Sequence, residues 1–206
     1  MTQKLKFDLQ NVDWEKVDQL LPVVVQDSST LQVLMLGYMS PEALEKTLEL
    51  NKITFWSRTK KRLWTKGESS GNALILESLV LDCDSDTLLA TVSPIGPTCH
   101  LETTSCFGAD IAPGIGFLAK LNNLIIDRYE KKPKDSYTTH LFNKGLDKIA
   151  QKVGEEAVET VIASKNKNDE EFIGEVSDLI FHLFVLLKSR DIKLSQILGC
   201  LRGRHK

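Results

Sequence analysis

The chain has little cysteine, few aromatic residues and almost no uncompensated charge. There are four cysteines and 7% aromatics in 206 residues, and 26 basic side chains stand against 28 acidic ones. A net charge of −2 leaves no general electrostatic pull on nucleic acid, so no nucleic-acid partner is expected. No apolar run approaches the ~20 residues that span a bilayer, and the opening MTQKLKFDLQ lacks the apolar core of a secretory signal. The expected location is therefore cytoplasmic, with no membrane partner. Thiols stay reduced there, so a cysteine cluster points to metal or catalysis before disulfides. Internal repeats and low-complexity segments are also missing. What is present, 42% hydrophobic and 26% charged residues, suits one large soluble domain or two small ones.

Three of the four cysteines fall within DCDSDTLLATVSPIGPTCHLETTSC, residues 82–106. Asp82, Asp84 and Asp86 recur at every second position after LILESLVL, which reads as a strand. If the strand continues, the three carboxylates share one face and Cys83 points to the other. Hard carboxylate oxygens suit magnesium or calcium and soft thiolates suit zinc, so the alternation separates two kinds of metal ligand. Cys83, Cys99 and Cys106 would leave one position open on a tetrahedral zinc, as a catalytic site requires. The plainer readings are a solvated acidic turn and buried free thiols.

Residues 5–21 suggest a short helix with an irregular lead-in. Val23–Val25 and Val33–Leu36 flank a polar turn and read as a hairpin. Ser40 and Pro41 are the N-cap and first residue of a helix that stops near Asn51. Ile53–Ser57, residues 63–64, 74–84 and 87–95 read as further strands, an α+β and mostly antiparallel pattern. Between them, Ser57, Arg58 and the loop KGESSG offer cations, hydroxyls and tight glycine turns for an anionic ligand, or else an ordinary solvated turn. The glycine-rich stretch GADIAPGIG has the composition of a linker. Domains are expected at 1–112 and 113–206.

Beyond the linker only helical patterns follow, which predicts an all-α bundle. Phe117, Leu121, Leu124, Ile125 and Tyr129 are expected on one face of a helix ended by Pro133. Ser136 is a cap, Gly145 a break before a helix to about Ser164, Asp169 the start of another, and a short helix follows Asp191. Glu155, Glu156 and Glu159, and then Glu175 and Asp178, are spaced three or four apart, each set along one helical face. On antiparallel helices the five carboxylates could converge on magnesium. His182 reads as a core or interface histidine.

VLMLGYMSPEAL, FWSRTKKRLWTKGESSG, LDCDSDTLL and CHLETTSCF resemble the successive motifs of phosphoribosyl-AMP cyclohydrolase. The resemblance implies zinc held by Cys83, Cys99 and Cys106 drawn from both subunits of a homodimer, and magnesium held by Asp82, Asp84 and Asp86. It implies ring opening by a zinc-activated water, with His100 as the base, and substrate contacts from Ser57, Arg58, Trp64, Lys66, Gly67, Glu68, Ser69 and Ser70. KVGEEAVETVIA and EVSDLIFHLFVLL, with SYTTHL, resemble phosphoribosyl-ATP pyrophosphohydrolase. That implies magnesium on Glu155, Glu156, Glu159, Glu175 and Asp178, with Glu156 and Glu159 helping to activate water and Lys152 touching phosphate. Together the halves resemble the bifunctional histidine-biosynthesis family, with phosphoribosyl-ATP and phosphoribosyl-AMP as substrates. A rival expectation is a general nucleotide pyrophosphatase carrying a structural zinc module.

Overall fold

A computed structural model describes residues 7–108, 112 and 114–205. It divides into two units, residues 1–117 and 118–206. The expected boundary between 112 and 113 falls where 109–111 and 113 lie outside the described residues.

The first unit is built on β1 (Leu21–Asp27), whose alternate residues Leu21, Val23 and Val25 are fully buried. It pairs antiparallel with β2 (Val33–Met39) and parallel with β6 (Leu88–Pro94). β5 (Leu74–Leu81) pairs antiparallel with β6, which gives the sheet order β2-β1-β6-β5. A separate hairpin pairs β3 (Thr54–Ser57) with β4 (Arg62–Thr65). The helix α1 (Pro41–Leu50) lies between β2 and β3. Ser40 Oγ accepts from Ala43 N at 3.2 Å, and left-handed Asn51 (φ 54°) ends the helix. Met39, Leu44, Ile53, Leu74, Leu88 and Val92 complete one core. Gly37 is bare for a steric reason: a Cβ there would enter the Phe55 ring.

Two local expectations fail. Among the described residues of 5–21 there is one 3₁₀ turn, Leu9–Asn11, followed by turns (residues 5 and 6 lie outside the described ones). Asp8 and Asp13 side chains accept from the main-chain N–H groups of Gln10 and Lys16, and such local bonds compete with a helix. The strand expected over 74–84 stops at Leu81. Asp82 Oδ1 accepts from both Asp86 N and Thr87 N at 3.1 Å, and Ser85 takes φ 62°, so residues 82–87 turn the chain from β5 into β6.

The second unit holds α2 (Gly116–Lys131), α3 (Tyr137–Lys144), α4 (Leu146–Ala163), α5 (Asp169–Ser189) and α6 (Leu194–Arg204). Ser136 Oγ caps α3 and Asn168 Oδ1 caps α5, while Gly145 at φ 82° makes the break between α3 and α4. Ile125, Leu141, Ile149, Phe184 and Val185 form its core. On α2 the inward stripe is Leu118, Leu121 and Ile125, whereas Phe117, Leu124 and Tyr129 are exposed. The expected stripe was therefore displaced around the helix by about one position.

Candidate functional sites

The turn after β5 gathers the three aspartates. One oxygen from each of Asp82, Asp84 and Asp86 lies within 4.8 Å of the others. Their convergence comes from a turn held by Asp82, not from strand alternation, and Cys83 does not face away from them: its Sγ lies 3.8 Å from Asp84 Oδ1. The Lys16 ammonium sits on the turn, 2.5 Å from Asp84 Oδ2 and 2.7 Å from Asp86 Oδ2. It holds the Asp86 carboxyl below its usual range, and the carboxylates raise the lysine in return. Two of the three carboxylates are thus occupied by an ammonium.

The other two motif cysteines stand at the far end of β6. Cys106 N donates to Leu34 O on β2 at 2.8 Å, and buried Ser105 Oγ donates to Val33 O at 2.8 Å. Cys99 is buried, and its thiol is pulled down by the Leu101 N–H and the Thr103 hydroxyl. Burial and the neighbouring Cys99 push the Cys106 thiol up. Exposed His100 has Nδ1 3.8 Å from Cys99 Sγ. Cys83 lies in the turn that enters β6 and this pair follows the strand's other end, so the whole of β6 runs between them. Within one chain, two thiols converge and the third does not.

The basic loop beside β4 differs from expectation in its details. Lys66 is buried, only 7% exposed, with Nζ 3.4 Å from Asn72 O. Burial lowers its pKa, against the pull of Cys106 and Cys99, so this lysine faces the cysteine pair. Glu68 binds Arg62 at 2.5 Å, which holds its carboxyl below the usual range. Gly67, at φ 87°, could not carry a Cβ without meeting the main chain of Asn72 and Ala73 at 2.7 Å. Ser70 Oγ accepts from Asn72 N, and Ser57 Oγ accepts from Lys60 N. Trp64 stacks on Phe55, the Arg58 guanidinium lies 4.0 Å over the Tyr38 ring, and Ser69 is exposed. Of the expected anion-binding groups, Arg58, Ser69 and Ser70 are exposed, Glu68 is exposed but paired with Arg62, and Lys66 is buried.

In the helical unit α4 and α5 bring Glu156, Glu175 and Asp178 together, with one oxygen of each within 4.8 Å of the others. Glu156 is buried, Glu175 half-buried and Asp178 exposed. Glu155 lies outside this group: Gln151 Nε2 donates to it at 2.6 Å and Lys152 Nζ approaches at 3.0 Å. Adjacent helical residues point about 100° apart, so Glu155 and Glu156 cannot both face α5 squarely. Glu159 acts on the cluster through charge. Burial, then Glu159, Glu156 and Asp178, push the Glu175 carboxyl upward. Lys152 also reaches Glu156 at 2.6 Å, a second ammonium standing where a cation would be stabilised. Sequence reasoning missed Lys16, whereas the expectation of a core histidine at His182 agrees with its burial, 3.8 Å from Glu156.

The chain is thus a two-domain protein, a strand-rich unit with an acidic turn and a thiol pair followed by a helical unit with a carboxylate cluster. Residues 35–108 match the family model for phosphoribosyl-AMP cyclohydrolase, and residues 118–205 match that for phosphoribosyl-ATP pyrophosphohydrolase. The chain is 51% identical over 199 residues to the histidine biosynthesis bifunctional protein HisIE of Photobacterium profundum, covering 94% of this chain and 96% of that protein. It is 53% identical over 195 residues to the protein of the same description from Escherichia coli K12 (95% and 96%), and 52% identical over 198 residues to that of Xylella fastidiosa Temecula1 (96% and 95%). The chain belongs to the bifunctional histidine-biosynthesis family that joins a phosphoribosyl-AMP cyclohydrolase domain to a phosphoribosyl-ATP pyrophosphohydrolase domain.

Proposed function

We propose that the helical unit cleaves phosphoribosyl-ATP to phosphoribosyl-AMP and pyrophosphate, and that the strand-rich unit then hydrolyses the adenine ring of that product. The observation that carries the reading is the presence of a separate metal-ligand cluster in each unit, in the family's domain order. Glu156, Glu175 and Asp178 suit magnesium, with Lys152 beside them for a phosphate oxygen. Glu155 is a ligand only if it leaves Lys152. A divalent cation supplies positive charge for the phosphates being separated. Glu159, outside the tight cluster yet within its field, is suited to orient the attacking water and take its proton.

In the first unit Asp82, Asp84 and Asp86 suit magnesium and displace Lys16 to hold it. Cys99 and Cys106 supply two zinc ligands. Cys83 from a second copy supplies the third, so the working enzyme is a homodimer. Zinc held by these residues would make a bound water acidic enough to lose a proton near neutral pH. His100 accepts the proton of that water, and buried Lys66 offsets the negative charge of the thiolates. Arg58 and Ser69 are left to contact the substrate's phosphate. Four free thiols and nucleotide substrates fit the cytoplasm.

The test supplies phosphoribosyl-ATP with magnesium and zinc to the full chain, then follows pyrophosphate and the ultraviolet change of ring opening together. Both signals are expected, with Cys99→Ala abolishing the second alone. Pyrophosphate without ring opening in zinc-loaded protein would instead mark the first unit as a structural zinc module.

A further inference from the structure

His182 is 4% exposed and both ring nitrogens have assigned neighbours. Nδ1 lies 2.9 Å from the main-chain oxygen of Asp178 and 3.8 Å from Glu156 Oε1; Nε2 lies 3.2 Å from the Tyr137 hydroxyl. A carbonyl oxygen only accepts, so Nδ1 carries the proton and donates, which leaves Nε2 of the neutral ring to accept from Tyr137. The tautomer is thus set from both sides. The ring is also fixed edge-on by Phe181 (centroids 5.2 Å) and Tyr137 (6.2 Å), and those two rings stack on each other.

We propose that the Tyr137–His182 pair is a positioning device for the helical carboxylate cluster. Nδ1–H donates to the Asp178 main-chain oxygen within α5, Nε2 ties the ring to Tyr137 of α3, and the ring lies 3.8 Å from the buried Glu156 carboxylate of α4. The buried Glu156 carboxylate is thereby flanked by an imidazole whose own position is fixed from α5 and α3, so the ring limits where that carboxylate can sit. The inference rests on the pyrophosphohydrolase reading of the cluster. Outer partners of this kind tune metal affinity by ~10–100-fold without ligating the metal.

The test uses the full chain carrying Asp84→Asn and Asp86→Asn, which silences the acidic turn of the first unit. Manganese binding is read by calorimetry, with helix content by circular dichroism. His182→Leu is expected to weaken binding ~10-fold or more, and Tyr137→Phe to weaken it less. His182→Asn, whose side-chain N–H stands where Nδ1–H stood, is expected to recover most of the loss. In pyrophosphate release the Leu variant is expected to lower kcat with KM for phosphoribosyl-ATP nearly unchanged. Equal manganese affinity in the parent and in folded His182→Leu overturns the inference, as does His182→Asn binding no better than His182→Leu. If the Leu variant does not fold, unchanged affinity in Tyr137→Phe overturns it. A parent that binds no manganese overturns the underlying reading and the inference with it.

Discussion

Glu175 lies at the centre of the strongest electrostatic conflict in the helical unit. Its carboxyl is raised by burial first, and then by Glu159, Glu156 and Asp178. The folded chain therefore holds the Glu175 proton more tightly than the unfolded chain does. Stability rises as pH falls through that window, and is lost as pH climbs from the ordinary carboxylate value through the raised one. Metal-free Glu175→Gln should accordingly melt at a higher Tm than wild type at neutral pH, and the difference should shrink on acidification. The same substitution should lower magnesium-dependent pyrophosphate release by on the order of 100-fold. A lower Tm in the metal-free variant would show that the repulsion is not what limits the cluster. On the proposed magnesium reading, function and stability are opposed at this residue, since the crowding that weakens the apo fold would also favour a dication.

At the scale of elements, the β2–β3 contact is set by one missing side chain. Gly37 lies on β2 where the Phe55 ring of β3 occupies the space of a Cβ. Gly37→Ala forces that ring, and the Trp64 stacked on it, to move. Overpacking of this kind costs typically 1–3 kcal/mol. Denaturant unfolding should report a loss of that size with an unchanged slope, and a neutral result would mean that the ring has room to yield. Legibility at this scale followed how local the signal was. The caps at Ser40 and Ser136 and the β1–β2 hairpin were readable because they act within a few residues. The end of β5 was not, because it depends on Asp82 gathering two N–H groups from across a turn. The face of α2 was misread for another reason. A helix with apolar residues at 117, 118, 121, 124, 125 and 129 offers overlapping stripes, and only the neighbouring helices choose between them.

At the scale of the whole molecule, the cysteines pose a question that one chain does not answer. Cys99 and Cys106 meet, while Cys83 stays with the aspartates at the other end of β6. If a second copy completes the site, Cys83→Ala and Cys99→Ala each abolish ring opening alone. Their mixture, after subunit exchange, contains heterodimers with one intact site and one lacking both ligands. Half of the dimers would then carry half of their sites, so about a quarter of wild-type ring opening should return. Mixtures that exchange subunits and stay inactive would exclude a shared site. Pyrophosphate release should be insensitive to the mixing.

The change from strands to helices near residue 117 and the family were determined by the sequence alone. Ligand type, spacing and periodicity are local properties that survive without coordinates. Tertiary structure decided which of those residues meet. It drew the three aspartates into a turn, set Lys16 on them, turned Lys66 inward and excluded Glu155 from the α4–α5 cluster. It also put His182 behind Glu156. Each of these depends on which side chains the folded backbone brings within a few ångströms, and in the buried cases of Lys66 and His182 close packing selects partners that no spacing rule encodes.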